Sequence, residues 1–342
     1  VVALVSLLGL PRIPGTNINL TVPYAAEGKG PTFNTLGEAD GTPVVEIEGE
    51  KEDKTSGNLN MTTVSVRTNL TLAQALGRWI KSDDTLVPLE QVLPKGQTPE
   101  QVFQQNAASF AASESNATTS AMNYLHRPLE TSVLEITDKS PAQNKLRIDD
   151  VVTKVDDKKI TLPAELADAV KQHKPGDKVT LTVRRDGKEI RVPITLDETP
   201  KELRHNPHES GAFLGVTTVA QPAGDLKVRY NLNDVGGPSA GLMFSLAVVD
   251  KLSPGELSGG KFVAGTGTID ADGNVGPIGG ITHKIRAAAD AGAETFLVPA
   301  GNCQEAQSVS DAGAKLVKVD SLDSAVKNLE KINKGEEPET CS

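Results

Sequence analysis

The 342-residue sequence predicts a mixed α/β (α+β) protein built from more than one module. Three features carry that expectation. Residues 42–48 and 58–66 alternate apolar and polar side chains as half-buried strands do. Residues 240–252 form an apolar run of helical length. A chain this long also exceeds what one hydrophobic core ordinarily serves. With 37% hydrophobic residues and 31 glycines the composition is that of ordinary globular material, but aromatics make up only 3%, so Val, Leu, Ile and Ala must fill the cores.

The elements follow in order. Residues 1–10 are apolar, too short to span a bilayer, and are followed by the breaker Pro11-Arg12-Ile13-Pro14. This segment, 1–16, reads either as the remnant of an N-terminal membrane anchor or signal sequence, or as a buried first strand. Residues 17–122 contain the two alternating strands, a short helix over 71–81, and a longer helix opened by Thr98-Pro99-Glu100, where a capping hydroxyl precedes a first-turn proline. Residues 123–198 run strand, turn, strand, a helix over 163–173, then strands at 178–184 and 189–196. Residues 199–334 hold a strand over 227–232, the apolar helix, and a second helix over 281–291, and a polar tail occupies 335–342. The two cysteines, Cys303 and Cys341, fit one bridge tying that tail down, which favours an exported protein, or two unrelated thiols.

Two short motifs carry chemistry. Gly236-Gly237-Pro238-Ser239-Ala240-Gly241 puts a hydroxyl on a small-residue turn where the apolar helix begins, and Gly276-Pro277-Ile278-Gly279-Gly280-Ile281-Thr282-His283-Lys284 leads into a lysine. Serine attacks a carbonyl only if a base takes its proton, and an amine serves once desolvation lowers its pKa from about 10.4 toward neutrality. Ala287, Ala288 and Ala291 share a helix face with Lys284 and surround the amine with small apolar groups. Ser239 and Lys284 are therefore the candidate catalytic dyad. Gly236, Gly237 and Pro238 are the candidate oxyanion and substrate-binding turn, because glycines let the backbone approach a substrate and the helix N-terminus favours negative charge. Taken singly, Ser239 as a helix N-cap and Lys284 as a solvated surface charge remain the alternatives.

These motifs, with residues 262–269 between them read as a β-hairpin, resemble the proteolytic domain of Lon, the Ser-Lys peptidase family. The resemblance covers residues 213–334 and implies Ser239 as nucleophile and Lys284 as general base. Gly236 stands where Lon commonly has an acidic residue and Ala264 where a threonine often precedes the hairpin glycine, which leaves Thr266 and Thr268 as candidates for supporting the lysine. Residues 123–197 resemble a PDZ domain, on Lys139-Ser140-Pro141-Ala142 and the strand and helix order that follows. That resemblance implies peptide binding by strand addition in a groove between residues 131–137 and 164–173, although Arg127-Pro128-Leu129-Glu130 replaces the usual carboxylate-binding glycine loop. Residues 17–122 are expected to complete the protease domain around an inserted PDZ. Residues 22–32 and 55–63 further resemble the YlbL-like group of bacterial PDZ-Lon proteases, which implies a single-pass membrane anchor and a protease domain that is extracytoplasmic or secreted.

Competing motifs are weaker. Gly237-Pro238-Ser239-Ala240-Gly241 fits the nucleophile elbow of α/β-hydrolases, but His283 is the sole histidine after it and too little chain remains for that fold. Residues 255–262 imitate a phosphate loop with Phe262 in place of the magnesium-binding hydroxyl, and the five histidines lack zincin spacing. No cofactor, metal or nucleotide is expected. The net charge of −10 excludes a nucleic-acid footprint. The sequence thus reads as an ATP-independent serine endopeptidase acting on unfolded or flexible protein and peptide substrates, with the PDZ recruiting or gating them. Lon-type domains often form rings, so a homo-oligomer is part of the expectation. The alternative is a non-catalytic peptide-binding scaffold with a degenerate Lon-like domain.

Overall fold

The computed structural model describes residues 10–13, 15–16, 19–81, 83–200, 211–233 and 235–341. They divide into two compact units: one gathers the described residues of 1–47, 51–125 and 228–342, the other residues 48–50 and 126–227. Both mix helix and strand, as the α/β class requires.

The first unit begins with β1 (Tyr24–Asn34), β2 (Asn58–Arg67), α1 (Leu72–Lys81), β3 (Thr85–Pro88) and α2 (Pro99–Tyr124). β1 pairs antiparallel with β2 on one edge and β3 on the other. Helix α2 starts where the sequence signals it, with the Thr98 side chain accepting from Gln101 N and Gln101 returning a bond to Thr98 N. Its buried residues, including Phe110, Ser113, Ala117, Ala121 and Met122, are concentrated in the later turns.

The chain then builds the second unit from β4 (Leu129–Ile136), β5 (Val151–Val155), α3 (Pro163–Lys171), β6 (Lys178–Arg185), β7 (Lys188–Thr195) and β8 (Val216–Pro222). These strands form one antiparallel sheet in the order β7-β6-β5-β4-β8. Val133, Val152, Leu166, Leu181 and Ile194 fill its core. Asp150, 1% exposed, receives Nε and Nη2 of Arg185 at 2.7 and 2.6 Å, so its buried charge is compensated. Asp149 takes a left-handed φ of 67°, the conformation for which a glycine is common at such a turn.

The open peptide groove expected beside residues 131–137 is not what the chain forms. β8 lies antiparallel along the free edge of β4, from Val216 opposite Ile136 to Pro222 opposite Leu129. β4 is thereby interior, and the edge strand of this sheet beside α3 is β8. What remains between α3 and the residues leading into β8 is a pocket of about 200 Å³ lined by Leu166, Val170, Phe213 and Val216.

Returning to the first unit, the chain adds α4 (Gly241–Leu252), β9 (Phe262–Gly265), β10 (Thr268–Ile269), β11 (Val275–Gly276), α5 (Ile281–Asp290), β12 (Thr295–Pro299), β13 (Lys315–Val319) and α6 (Leu322–Asn333). Its six-stranded sheet has the order β13-β12-β9-β2-β1-β3. β9 is parallel to both β2 and β12, so this sheet draws strands from both ends of the sequence. Residues 262–269 are therefore not one hairpin: β9 is an interior parallel strand, and the hairpin is β10 with β11. Gly267, between β9 and β10, marks the break, since Leu242 N donates to its carbonyl and its own N–H donates to the Ser239 carbonyl. Every residue of α4 is buried, which explains why its sequence is apolar all round rather than amphipathic.

Cys303 and Cys341 are disulfide-bonded. The tail is further tied to β13 by backbone bonds from Lys318 N to the Glu339 carbonyl and from Cys341 N to the Leu316 carbonyl.

The expectation of a single-pass membrane anchor, and with it a membrane location, is corrected: among the described residues no helix is long and apolar enough to cross a membrane. The apolar stretch over residues 1–9 itself lies outside the described residues.

Candidate active site

Ser239 and Lys284, 45 positions apart, meet in the first unit with Lys284 Nζ 2.8 Å from Ser239 Oγ. Ala240, not Ser239, occupies the N-cap position of α4, and the Ser239 hydroxyl is directed to the amine. Lys284 sits on the buried face of α5 and is only 2% exposed, beside the buried Ala287 and Ala288, while Ala291 is exposed. Burial pushes its amine down to about 8, because a desolvated ammonium loses hydration that the neutral form needs less. The sequence feature that predicts this is the small-residue face of the helix.

Thr266 completes the arrangement. Fully buried, its Oγ1 lies 3.0 Å from Lys284 Nζ and donates to the Ser239 carbonyl at 3.1 Å. With its proton committed to that carbonyl, the hydroxyl presents a lone pair to the amine. Thr266 thus stands where Ala264 offers no hydroxyl. Thr268 lines a cleft together with the lysine, but among the described residues it is Thr266 that bonds the amine.

Helix α2, far away in sequence, holds the glycine turn from behind. Gly237 N donates to the Asn106 carbonyl at 2.9 Å and Ser113 Oγ donates to the Pro238 carbonyl at 3.0 Å. Gly237 has a φ of +86°, which a side chain would strain, and a Cβ on Gly241 would come within 2.8 Å of Ile269 Cγ2. These bonds alter the expected oxyanion donors. The Gly237 N–H is spent on Asn106 and Pro238 has none, which leaves the N–H groups of Gly236 and Ser239 as candidate donors. Gly236, Gly237 and Pro238 all reach the cleft walls, where they shape the passage of a substrate backbone.

Two clefts flank Ser239. One, of about 340 Å³, is lined by Phe33, Met61, Phe110 and Val235 together with Ser239 and Lys284. The other, of about 510 Å³, is lined by Glu27, Val64, Thr268, Pro277 and Ile278 along with the dyad. Sequence reading missed Glu27, Asn106, Ser113 and the wall residues Phe33, Met61 and Phe110, since each lies over a hundred positions from the motifs and no local spacing links them. The phosphate-loop imitation is built differently from a phosphate cradle: it follows a helix end, and Lys261 Nζ donates to the Ile332 carbonyl at 2.9 Å near the end of α6.

The geometry agrees with what comparison with known proteins finds. The family of Lon protease (S16) C-terminal proteolytic domains matches residues 233–332, and the PDZ domain family matches residues 110–196. The chain thus carries a Lon-type proteolytic domain and a PDZ domain. The archaeal Lon protease of Halobacterium salinarum is 40% identical over 75 residues, covering 22% of this chain and 10% of that protein. The Lon protease of Campylobacter concisus is 26% identical over 179 residues, 49% of this chain and 20% of that protein. The matched regions thus span a tenth to a fifth of these curated relatives. Among solved structures, the PDZ domain of the SdrC-like protein from Listeria innocua aligns with 26% of this chain and 92% of its own, at 21% identity and a TM-score of 0.23. Within the Lon-type match, Ser239 and Lys284 lie on separate elements, the turn before α4 and helix α5, and Thr266, the residue after β9, bonds to both.

Proposed function

We propose that this chain is a serine endopeptidase of the Lon type in which Ser239 is the nucleophile and Lys284 the general base. The observation that carries the reading is the 2.8 Å approach of a desolvated amine to the serine hydroxyl. In the neutral amine the Nζ lone pair accepts the Ser239 proton as Oγ bonds to the scissile carbonyl carbon. The negative oxygen of the resulting tetrahedral intermediate is stabilised by the candidate donors, the N–H groups of Gly236 and Ser239. Collapse breaks the C–N bond, and the Lys284 ammonium returns its proton to the leaving amine, freeing it with the acyl group on Ser239. A water molecule then gives a proton to Lys284 as it attacks the ester carbon; when the C–Oγ bond breaks, the Lys284 ammonium returns that proton to Ser239 Oγ, restoring both residues and releasing the acid.

No step consumes ATP, and the one phosphate-loop-like stretch of the chain is built around a lysine that donates to a helix carbonyl. The substrates proposed are therefore unfolded or flexible polypeptides that can enter the clefts in extended form. With β8 as the edge strand beside α3, the PDZ module is proposed to recruit or gate substrates at the pocket between them.

Cleavage of a denatured, fluorescently labelled protein without ATP tests the proposal, comparing the unaltered chain with Ser239→Ala and Lys284→Ala. Both substitutions should abolish cleavage; activity surviving either one would remove the dyad from the mechanism.

A further inference from the structure

The cleft holding Glu27 has a property the dyad does not require. Glu27 lies mid-strand in β1, opposite Val66 on one side and Thr85 on the other, so its backbone is fixed from both edges. Ala26 faces a small apolar cluster with Leu70 and Ala75, and by strand alternation Glu27 faces the opposite side, where its charge acts on His283 of α5. The carboxylate is half-buried, yet it makes no hydrogen bond or ion pair with any described residue. Nearby cations are engaged elsewhere: Lys29 donates to Asp290 at 2.6 Å, and Arg286 lies 4.0 Å from Asp83. Apart from Lys284, whose amine is directed to Ser239 and Thr266, the rest of the lining carries no charge.

We infer that this cleft is a subsite for a lysine or arginine side chain of the peptide substrate, with Glu27 as the group that reads its charge. The inference rests on the peptidase reading above and deepens it. Val64, Pro277 and Ile278 provide an apolar wall for the methylene stem, while the carboxylate meets the cationic head. A partly desolvated carboxylate without a counter-charge gains from such a partner and repels an acidic side chain, so the subsite discriminates in both directions. An N-terminal ammonium would offer the same charge, but it has no long stem to cover the apolar wall.

The test uses the full chain and Nα-acetylated, C-terminally amidated fluorescent decapeptides of Ala, Gly and Leu bearing one Lys, one norleucine or one Glu at a fixed position. Acetylation removes the terminal ammonium, so a preference that survives it belongs to the side chain. Binding is read by anisotropy with the Ser239→Ala variant, with and without Glu27→Gln, and cleavage by the unaltered chain and its Glu27→Gln and Glu27→Lys variants. The Lys peptide should bind roughly tenfold tighter than the norleucine peptide, as expected of one charge-assisted contact. Glu27→Gln should remove that preference, and Glu27→Lys should turn the cleavage preference toward the Glu peptide. Equal binding of the Lys and norleucine peptides, or a preference that persists in Glu27→Gln, would each overturn the subsite. Failure of the unaltered chain to cleave any peptide, with the Lys preference intact in binding, would instead sink the peptidase reading and leave the subsite standing.

Discussion

Thr266 Oγ1 approaches Lys284 Nζ at 3.0 Å while donating its own proton to the Ser239 carbonyl at 3.1 Å, so one buried hydroxyl touches both halves of the dyad. Replacing it with the near-isosteric valine removes both bonds without changing the volume of the core. The hydroxyl's lone pair favours the ammonium over the amine, so its loss should lower the lysine pKa further. Thr266→Val is therefore expected to reduce kcat/KM by roughly 10- to 100-fold at its plateau through misplacement of the amine. The midpoint of the pH–rate profile should shift to lower pH. A profile reduced in height with an unmoved midpoint would mean that Thr266 only packs.

For the unaltered chain the pH dependence has a definite sign. With the amine at about 8, only about a tenth is neutral at pH 7 and about nine-tenths at pH 9. Cleavage should rise about tenfold between those values and then level off. The same shift has a cost in stability. The folded amine loses its proton near 8 and the unfolded one near 10.5, so the penalty of burying the ammonium is fully present below pH 8 and is relieved as pH rises through that window. Lys284→Met, which abolishes activity, should accordingly raise Tm at pH 7, with the gain shrinking toward pH 10. An unchanged Tm at both pH values would show that lost hydrogen bonds to Ser239 and Thr266 cancel the relief.

How far the sequence reveals this site follows from the range over which its determinants act. The pairing of Ser239 with Lys284 was legible because each sits in a local motif whose neighbours state their environment: glycines before a buried helix, and alanines along one face of another. Helices α2, α3, α4 and α5 were legible from caps and periodicity to within a few residues. What stayed hidden depends on strand pairing across long separations. Residues 262–269 alternate and contain glycines, which suits a hairpin, but β9 finds better partners in β2 and β12, about two hundred positions before it and about thirty after it. No local signal told that Asn106 would take the Gly237 N–H, that Glu27 would stand in the cleft, or that residues 216–222 would fill the edge of β4.

The Cys303–Cys341 bridge closes a loop with a sequence separation of 38 and anchors the tail against β13. On the chain-entropy model, a loop of that size stabilises the fold by roughly 4 kcal/mol. Reduction, or the double substitution Cys303→Ser with Cys341→Ser, should lower Tm clearly in the unit that holds the dyad. Cleavage at low temperature should continue, since neither cysteine lines the clefts beside Ser239. Equal thermal unfolding of oxidised and reduced chain would show that the backbone bonds to β13 hold the tail unaided.

Strand β8 makes a prediction about the second unit. Val219 stands opposite Ser132 in the middle of the β4–β8 ladder, and the Gly215 carbonyl at its approach accepts from both Thr137 N and Ser140 Oγ. A peptide that adds a strand to the outer edge of β8 needs this ladder intact, because β8 is the edge strand beside α3. In the unaltered chain amides across residues 131–136 should exchange slowly with solvent deuterium, and fluorescent C-terminal peptides should bind. Val219→Pro disturbs the ladder by fixing φ and removing a donor, and should speed that exchange and weaken peptide binding by roughly tenfold or more. If the peptides bind equally well to both chains, or residues 131–136 exchange as fast as an unpaired edge, β8 does not control the groove.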